Sequence, residues 1–321
     1  MSAVITVRNL CKQYRYAKPG RGLRGLLSPE LTTIDALSGV SFQITAGERV
    51  ALIGPNGAGK STTLKILTGI LEPSQGTARV LDLTPWHDRR QLAYRIGVVF
   101  GQRSQLWPEL PVRASFALLR RIYDQDDDAF AARLDRLIGR FDLAALLDQP
   151  VHQLSLGQRM RCDIVASLLH GPTVLFLDEP TIGLDITAKA AVRDLINEQA
   201  RAEGLTVVLT SHDTRDIELV CERVIVVNRG RIIVDQATDD LRRRFLTRKL
   251  ISIRSAAPTI AVDLPGVTRR PADAHMSLFE VDARVARIDQ VVAVAIAQGG
   301  IEDITIEDPP LEEVIHEIYA A

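Results

Sequence analysis

The chain has 321 residues, 46% of them hydrophobic and 25% charged, which suits one large domain plus a small one. Its formal net charge of −1 provides no basic field for nucleic acid. Three cysteines, Cys11, Cys162 and Cys221, are odd in number and far apart, which excludes a disulfide framework or paired metal ligands and reads as buried free thiols of a reducing compartment. The N-terminus lacks a charged segment followed by an apolar one, so no signal peptide is expected. The longest apolar run, 291–297, is far shorter than the roughly 20 residues of a membrane helix, so work at a membrane would need a partner that spans it.

Residues 4–8 alternate as a strand. Residues 14–36 read as an exposed insertion with room for a short amphipathic helix. Arg15, Lys18, Arg21 and Arg24 occur there with no acid before Glu30, and Gly20, Gly22 and Gly25 interleave. Such a stretch is either a solvated loop or a contact with lipid headgroups or a membrane subunit. Residues 41–44 alternate as an edge strand, 49–53 form a short apolar strand, and 61–69 have helical spacing. Further strands are expected at 76–81 and 97–100, with mostly helical pattern over 111–169. The acidic run 124–128 then reads as the solvated start of a helix. Buried strands follow at 172–178 and 206–210, separated by a helix over 188–202 that Gly204 ends. After a helix at 217–221, strands 223–228 and 231–234 form a hairpin around Gly230. Strands alternating with helices imply a parallel sheet covered on both faces. Arg242, Arg243, Arg244, Arg248 and Lys249 mark a boundary at 241–249, read as a solvated basic linker in preference to a nucleic-acid patch. Beyond it, strands at 250–254 and 301–307 and helices at 285–298 and 311–319 outline a small α+β domain, 250–321, with no cluster of catalytic residue types.

The run Gly54, Pro55, Asn56, Gly57, Ala58, Gly59, Lys60, Ser61 and Thr62 fits the phosphate-loop pattern G-x-x-x-x-G-K-[ST] between a strand and a helix. Its glycines let successive backbone N–H groups turn inward around a phosphate, Lys60 reaches the β/γ oxygens, and Ser61 offers a hydroxyl to Mg2+. The strand ending at Asp178 brings a carboxylate to the same sheet edge, where it would hold Mg2+. Glu179 points the other way and is the candidate general base. Gln102, after strand 97–100, can coordinate Mg2+ and orient water. His212, after strand 207–210, is placed to sense a γ-phosphate or serves a structural role. Ser155, in the run 154–158 that ends with Gly157 and Gln158, can cap a long helix whose N-terminal amides remain available to an anion.

These stretches, in this order, resemble the ATPase subunits of ABC transporters. Residues 54–62 look like Walker A, Gln102 like the Q-loop, 154–158 like the signature and 174–179 like Walker B. Gly183, Leu184 and Asp185 look like the D-loop, and His212 like the switch histidine. Tyr14 matches the aromatic that stacks on adenine, although Tyr16 could take that place. The resemblance spans about residues 4–237. It implies an α/β P-loop NTPase of the ABC ATPase type with antiparallel β and helical subdomains, the ATPase domain covering 1–240 and its helical part about 103–168. It also implies a head-to-tail homodimer in which Ser155, Gly157, Gln158 and Asp185 contact the ATP of the neighbouring copy, with ATP and Mg2+ as ligands. Two transmembrane permease subunits, no nucleic acid and no membrane span of its own complete what it implies, which places the chain at the cytoplasmic face of the cell membrane.

Two positions depart from the family pattern. Leu156 stands for a glycine of the signature, and Ile182 for a small residue before the D-loop glycine. Neither removes a group that touches phosphate, so activity is expected with altered dimer contacts. The stretch 303–314, reading DITIEDPPLEEV, is similar to the end of drug-resistance and polysaccharide exporter ATPases of the type-two class, and 97–111, reading GVVFGQRSQLWPELP, looks like an offshoot of it. Trp107 and Leu106 then either pack inside the helical subdomain or line the groove that receives the permease. The rival readings are an importer ATPase and a soluble ABC ATPase acting on nucleic acid or ribosomes. The chain lacks the long heptads, paired cysteines and second phosphate loop that the soluble proteins carry.

Overall fold

Strand β1 (Ala3–Lys18) turns back into β2 (Glu30–Thr45), and the two pair antiparallel from Ala3↔Thr45 to Lys18↔Glu30. β3 (Arg49–Ile53), helix α1 (Lys60–Leu67) and β4 (Gln75–Val80) follow, and β4 joins the other edge of β1 to give a three-stranded sheet of order β2-β1-β4. Residues 14–18 and 30–36, expected to be an irregular insertion, are therefore strand. Here, among the described residues, β1 pairs with β2 alone, because its pairing with β4 ends at Cys11↔Gln75. Residues 13–15 and 33–35 are exposed in succession, so no apolar alternation records this ribbon in the sequence. The computed structural model describes residues 3–18, 30–101, 104–211, 213–245, 248–256, 260–273 and 275–307. The middle of the basic insertion, Gln102, His212 and the helix expected at 311–319 lie outside the described residues.

Helix α2 (Arg89–Ala93) leads into β5 (Ile96–Phe100). A helical stretch follows, made of α3 (Val112–Ile122), α4 (Asp127–Arg140) and α5 (Leu156–Leu168). The acidic run does start a helix: Asp126 caps α4, accepting from the N–H groups of Asp128 (3.1 Å) and Ala129 (3.0 Å). Then come β6 (Val174–Asp178), α6 (Ile186–Glu203), β7 (Thr206–Thr210), α7 (Thr214–Val220), β8 (Arg223–Asn228) and β9 (Arg231–Ala237). Arg229 and Gly230 both take positive φ, which is what a two-residue turn between antiparallel strands requires.

The six-stranded sheet has the order β5-β6-β7-β3-β8-β9. Four of its five pairings are parallel and place Phe100 beside Asp178, Asp178 beside Thr210, and Thr210 beside Leu52. The C-terminal ends of β5, β6, β7 and β3 thus lie level, with the phosphate loop leaving β3 at that edge. Strands β6 and β7 are buried almost throughout, because helices cover both faces of a parallel sheet. Helix α1 is buried on nearly every side. Leu64, Ile66 and Leu67 pack in one core with Ile5, Val7, Leu37 and Phe42 of the antiparallel sheet and with Val50, Phe176, Val208 and Ile225 of the parallel one. This two-sided burial holds its N-terminus in place.

The chain divides into two compact units, Met1–Gln236 and Ala237–Ala321. In the second, α8 (Thr238–Phe245) and β10 (Arg248–Ser255) occupy the stretch expected to be a basic linker at 241–249. The arginine run disguised a helix that begins with Asp239 and Asp240 in its first turn, where acids favour the helix dipole. β11 (Val267–Arg270), β12 (Met276–Asp282), α9 (Ile288–Ala297) and β13 (Ile301–Glu307) complete a sheet of order β11-β12-β10-β13. Ile251, Ile253, Phe279 and Val281 pack against Val291 and Ala295 of α9. Cys162 and Cys221 are buried as expected, whereas Cys11 is half-buried and its thiol donates to the Asn9 carbonyl.

Candidate functional site

The loop between β3 and α1 is built for a close backbone turn. Gly59 takes φ 112°, and a Cβ there would stand 2.7 Å from the Ala36 carbonyl oxygen, so no other residue fits. No side chain caps the first turn of α1, which leaves its amides free of a cap at the positive end of the helix dipole. Lys60 is buried, and its Nζ donates to the carbonyls of Gly54 (2.7 Å) and Pro55 (3.3 Å). Burial pulls the Lys60 pKa below its ordinary value, while Glu179 and Asp178 act in the opposite direction. Held by carbonyls of the phosphate loop, the ammonium is a fixed positive charge beside the first turn of α1, which suits an anion.

Ser61, on the first turn of α1, donates its hydroxyl to Asp178 Oδ1 at 3.1 Å. The same oxygen accepts from Thr210 Oγ1 at 2.6 Å, and Thr210 Oγ1 accepts in turn from the Glu179 N–H at 3.1 Å. The β6–β7 register is the cause, since it sets Asp178 and Thr210 side by side. Glu179 itself has φ 56°, a left-handed backbone that a non-glycine residue adopts at a cost of order 1 kcal/mol. The hydroxyl and the carboxylate form an oxygen-only donor pair. It suits a hard cation such as Mg2+, which is commonly bound through one or two carboxylates, waters and phosphate oxygens.

Ser155, Gly157, Gln158 and Asp185 gather elsewhere. With Leu156, Gly183 and others they line an open cleft of about 390 Å3 that contains no residue of the phosphate loop. Ser155 and Gln158 form a reciprocal cap on α5: the Gln158 N–H donates to Ser155 Oγ (3.2 Å), and the Ser155 N–H donates to Gln158 Oε1 (2.9 Å). The S-x-x-Q spacing carries that second bond in the sequence, where only the Ser155 cap was read. Asp185 caps α6 through Ala188 N–H at 2.8 Å. Leu156 lies against the D-loop-like turn, where a Cβ on Gly183 would stand 3.0 Å from Leu156 Cδ2.

The structure therefore brings the candidates together in two groups. Residues 54–62, Asp178 and Glu179 form one, and Ser155, Gly157, Gln158 and Asp185 the other. Tyr14 lies on the β1–β2 ribbon, 38% exposed, with Lys12 Nζ 5.5 Å from its ring centroid, and it pairs with Ile34, two residues before the Ala36 carbonyl that Gly59 approaches. Gln102 and His212 lie outside the described residues, although their neighbours Gly101, Ser211 and Asp213 are described. Trp107 is partly exposed and Leu106 buried. Thr210 is the site residue that sequence reasoning missed. Its signal was weak: a hydroxyl ending an apolar strand.

The family model described as ABC transporter matches residues 37–182. The chain is similar to daunorubicin resistance ATP-binding protein DrrA3 of Streptomyces coeruleorubidus, with 34% identity over 286 residues, covering 87% of this chain and 89% of that one. It is also similar to Nod factor export ATP-binding protein I of Burkholderia lata, 34% identical over 230 residues, 71% of this chain and 74% of that protein. Among solved structures, it is similar to an ATP-binding subunit of an ABC transporter at a TM-score of 0.63 and 28% identity, over 75% of this chain and 93% of the other. The dimeric ATP-binding cassette MJ0796, in a post-hydrolysis state with ADP and Pi, matches at a TM-score of 0.60 and 26% identity, over 73% of this chain and 98% of the other.

Proposed function

The chain belongs to the ABC transporter ATP-binding family, among its exporter-like ATPases, and on that premise we propose that two copies work head to tail to power export through two permease subunits. In this reading each ATP lies between the phosphate loop of one copy and the signature of the other. The observation that carries the pairing is the division of the anion-binding groups. Ser155, Gly157, Gln158 and Asp185 line a cleft of their own, and the phosphate loop has no part in it. A second copy can bring one group to the other.

The amides of residues 54–62 cradle the β-phosphate, Lys60 neutralises β/γ oxygens, and Tyr14 stacks on the adenine. Ser61 and Asp178, with Gln102, would hold Mg2+, which supplies charge neutralisation on the phosphate oxygens. Glu179 takes a proton from the water that attacks the γ-phosphorus as the bond to the β–γ bridging oxygen breaks and ADP leaves, and His212 contacts the γ-phosphate. Thr210 steers this chemistry indirectly, by tying the Asp178 carboxylate to the Glu179 N–H. ATP drives the pair shut only to the extent that it binds the closed state more tightly than the open one. Hydrolysis removes that difference and lets the pair reopen.

Transport needs a membrane part. Among the described residues no helix is long and apolar enough to cross a membrane. The relatives named for drug resistance and Nod factor export support partner permeases and the outward direction, with the chain held at the cytoplasmic face. The second unit, 237–321, is proposed as an accessory domain outside the ATPase. The deciding experiment is purification of the tagged chain from membranes, with identification of what accompanies it. Co-purifying polytopic proteins are expected. Recovery with no membrane protein would overturn the transport role and leave the ATPase assignment standing.

A further inference from the structure

Gly101, at the end of β5, and residues 104–106 are each tied to a neighbouring element. The Gly101 N–H donates to the Asp178 carbonyl at 2.8 Å. A Cβ on Gly101 would stand 2.2 Å from the Glu179 carbonyl oxygen, so this backbone lies directly on that of the acid pair. Beside residues 104–106 stands Asp163, seven residues and about two turns into α5, and 4% exposed. Its Oδ1 accepts from Ser104 Oγ (2.8 Å) and from the Gln105 N–H (3.0 Å). The Gln105 side chain returns a bond from Nε2 to the Asp163 carbonyl (2.8 Å), and Ser104 Oγ accepts from the Leu106 N–H (3.1 Å). Burial pushes the Asp163 carboxyl up to about 6, against the bonds from Ser104 and Gln105 and the charge of Arg159. A carboxylate buried on a helix is costly unless its bonds are made, and here the residues after β5 make them.

Only residues 102 and 103 separate the two anchors, and four consecutive residues span at most about 11 Å between their end Cα atoms. We propose that Asp163 is a positioning residue for ATP hydrolysis, anchoring to the signature helix the short strap of residues 104–106, which follows Gln102 directly in sequence. Asp163 touches no substrate. It acts through Ser104 and Gln105, and because α5 begins at the signature, a shift of that helix reaches the strap through this carboxylate. The inference rests on the ATPase reading.

The test uses the full chain, with ATPase rates at saturating MgATP, equilibrium ATP titration and backbone hydrogen exchange over 101–106. Asp163→Ala is expected to lower kcat about tenfold and Ser104→Ala several-fold, with KM and Kd for ATP within about twofold of the parent chain. Asp163→Asn keeps an acceptor oxygen and should recover part of the loss. The double variant Asp163→Ala/Ser104→Ala should be no slower than Asp163→Ala, because both remove one set of bonds. Exchange at residues 104–106 should quicken in each variant. Unchanged kcat in Asp163→Ala and Ser104→Ala, or fully additive losses in the pair, would overturn the proposal. A parent chain that fails to hydrolyse ATP overturns the ATPase reading instead, and exchange at 104–106 then still reports whether the anchor exists. Should Asp163→Ala fail to fold, Ser104→Ala and Asp163→Asn carry the same comparison.

Discussion

Removing the Arg193 guanidinium should be among the most damaging single changes away from the nucleotide. Arg193, on α6, is 7% exposed and Asp216, on α7, 1%. Arg193 Nε donates to Asp216 Oδ1 at 2.5 Å, and its Nη2 reaches Asp213 Oδ2 at 3.4 Å. The other Asp216 oxygen accepts from Ser211 Oγ at 2.9 Å and from Thr181 Oγ1. Asp213 is held separately by Lys189 Nζ at 2.7 Å. Arg193→Met keeps the length of the side chain and leaves Asp216 buried with two hydroxyl partners and no cation. Breaking a buried pair from one side costs about 3–5 kcal/mol. In a unit of 236 residues each kcal/mol moves the melting temperature by about 2–4 °C, so a fall of about 10 °C is expected. Urea unfolding and calorimetry would measure both. Asp216→Leu combined with Arg193→Met should recover much of the loss, because the stranded charge goes with it. A loss below about 1 kcal/mol for Arg193→Met, the range of an exposed pair, would refute the reasoning. The cluster also matters to function, since Thr181 precedes the D-loop-like turn and Ser211 precedes His212.

Other predictions concern the nucleotide site and acid stability. Glu179→Gln should bind ATP and accumulate as a closed dimer with little turnover, seen by size-exclusion chromatography with ATP. Full turnover in that variant would remove Glu179 as the base. Lys60→Ala should lose ATP binding, and an unchanged affinity by equilibrium titration would sink the phosphate-loop assignment. His170 supplies a pH prediction. Its Nε2–H donates to the Ile96 carbonyl (2.9 Å), its ring stacks on Tyr123 at 4.0 Å, and Nδ1 is buried with no partner among the described residues. Burial lowers its pKa to about 4 from 6.5. The unfolded chain thus takes up the proton first as pH falls, so stability is full above about pH 6.5 and is lost towards pH 4, by up to about 3 kcal/mol. Urea unfolding at pH 7 and pH 5 should differ less in His170→Phe than in the parent chain. An equal difference in both would count against the assignment.

What could be read from the sequence was what lies close together along it. The phosphate loop is nine consecutive residues between a strand and a helix. Asp178 ends an apolar strand, and the capped signature is a contiguous turn. Such units keep their geometry because each bond closes within a few residues. The second unit was legible only in outline: strands β10 and β13 and helix α9 were visible, whereas β11 and β12 were not. β11 has four residues, too few for a period to register, and the alternation of β12 went unread.

Tertiary structure decided the rest, because its bonds join residues far apart in the chain. Thr210 becomes a site residue through the register of two parallel strands, 32 residues from Asp178. Asp163 meets Ser104 across 59 residues, and the left-handed turn at Glu179 is held from β7 through Thr210. The far part of the β1–β2 ribbon was hidden because residues 13–15 and 33–35 are exposed in succession, so pairing and not an apolar face specifies it. The sequence by itself determined which groups are proposed to hold a nucleotide. Packing decided that the phosphate loop and the signature of one chain stand apart, each in its own cluster, since a helix and a sheet edge set those positions and no local pattern records the distance between them.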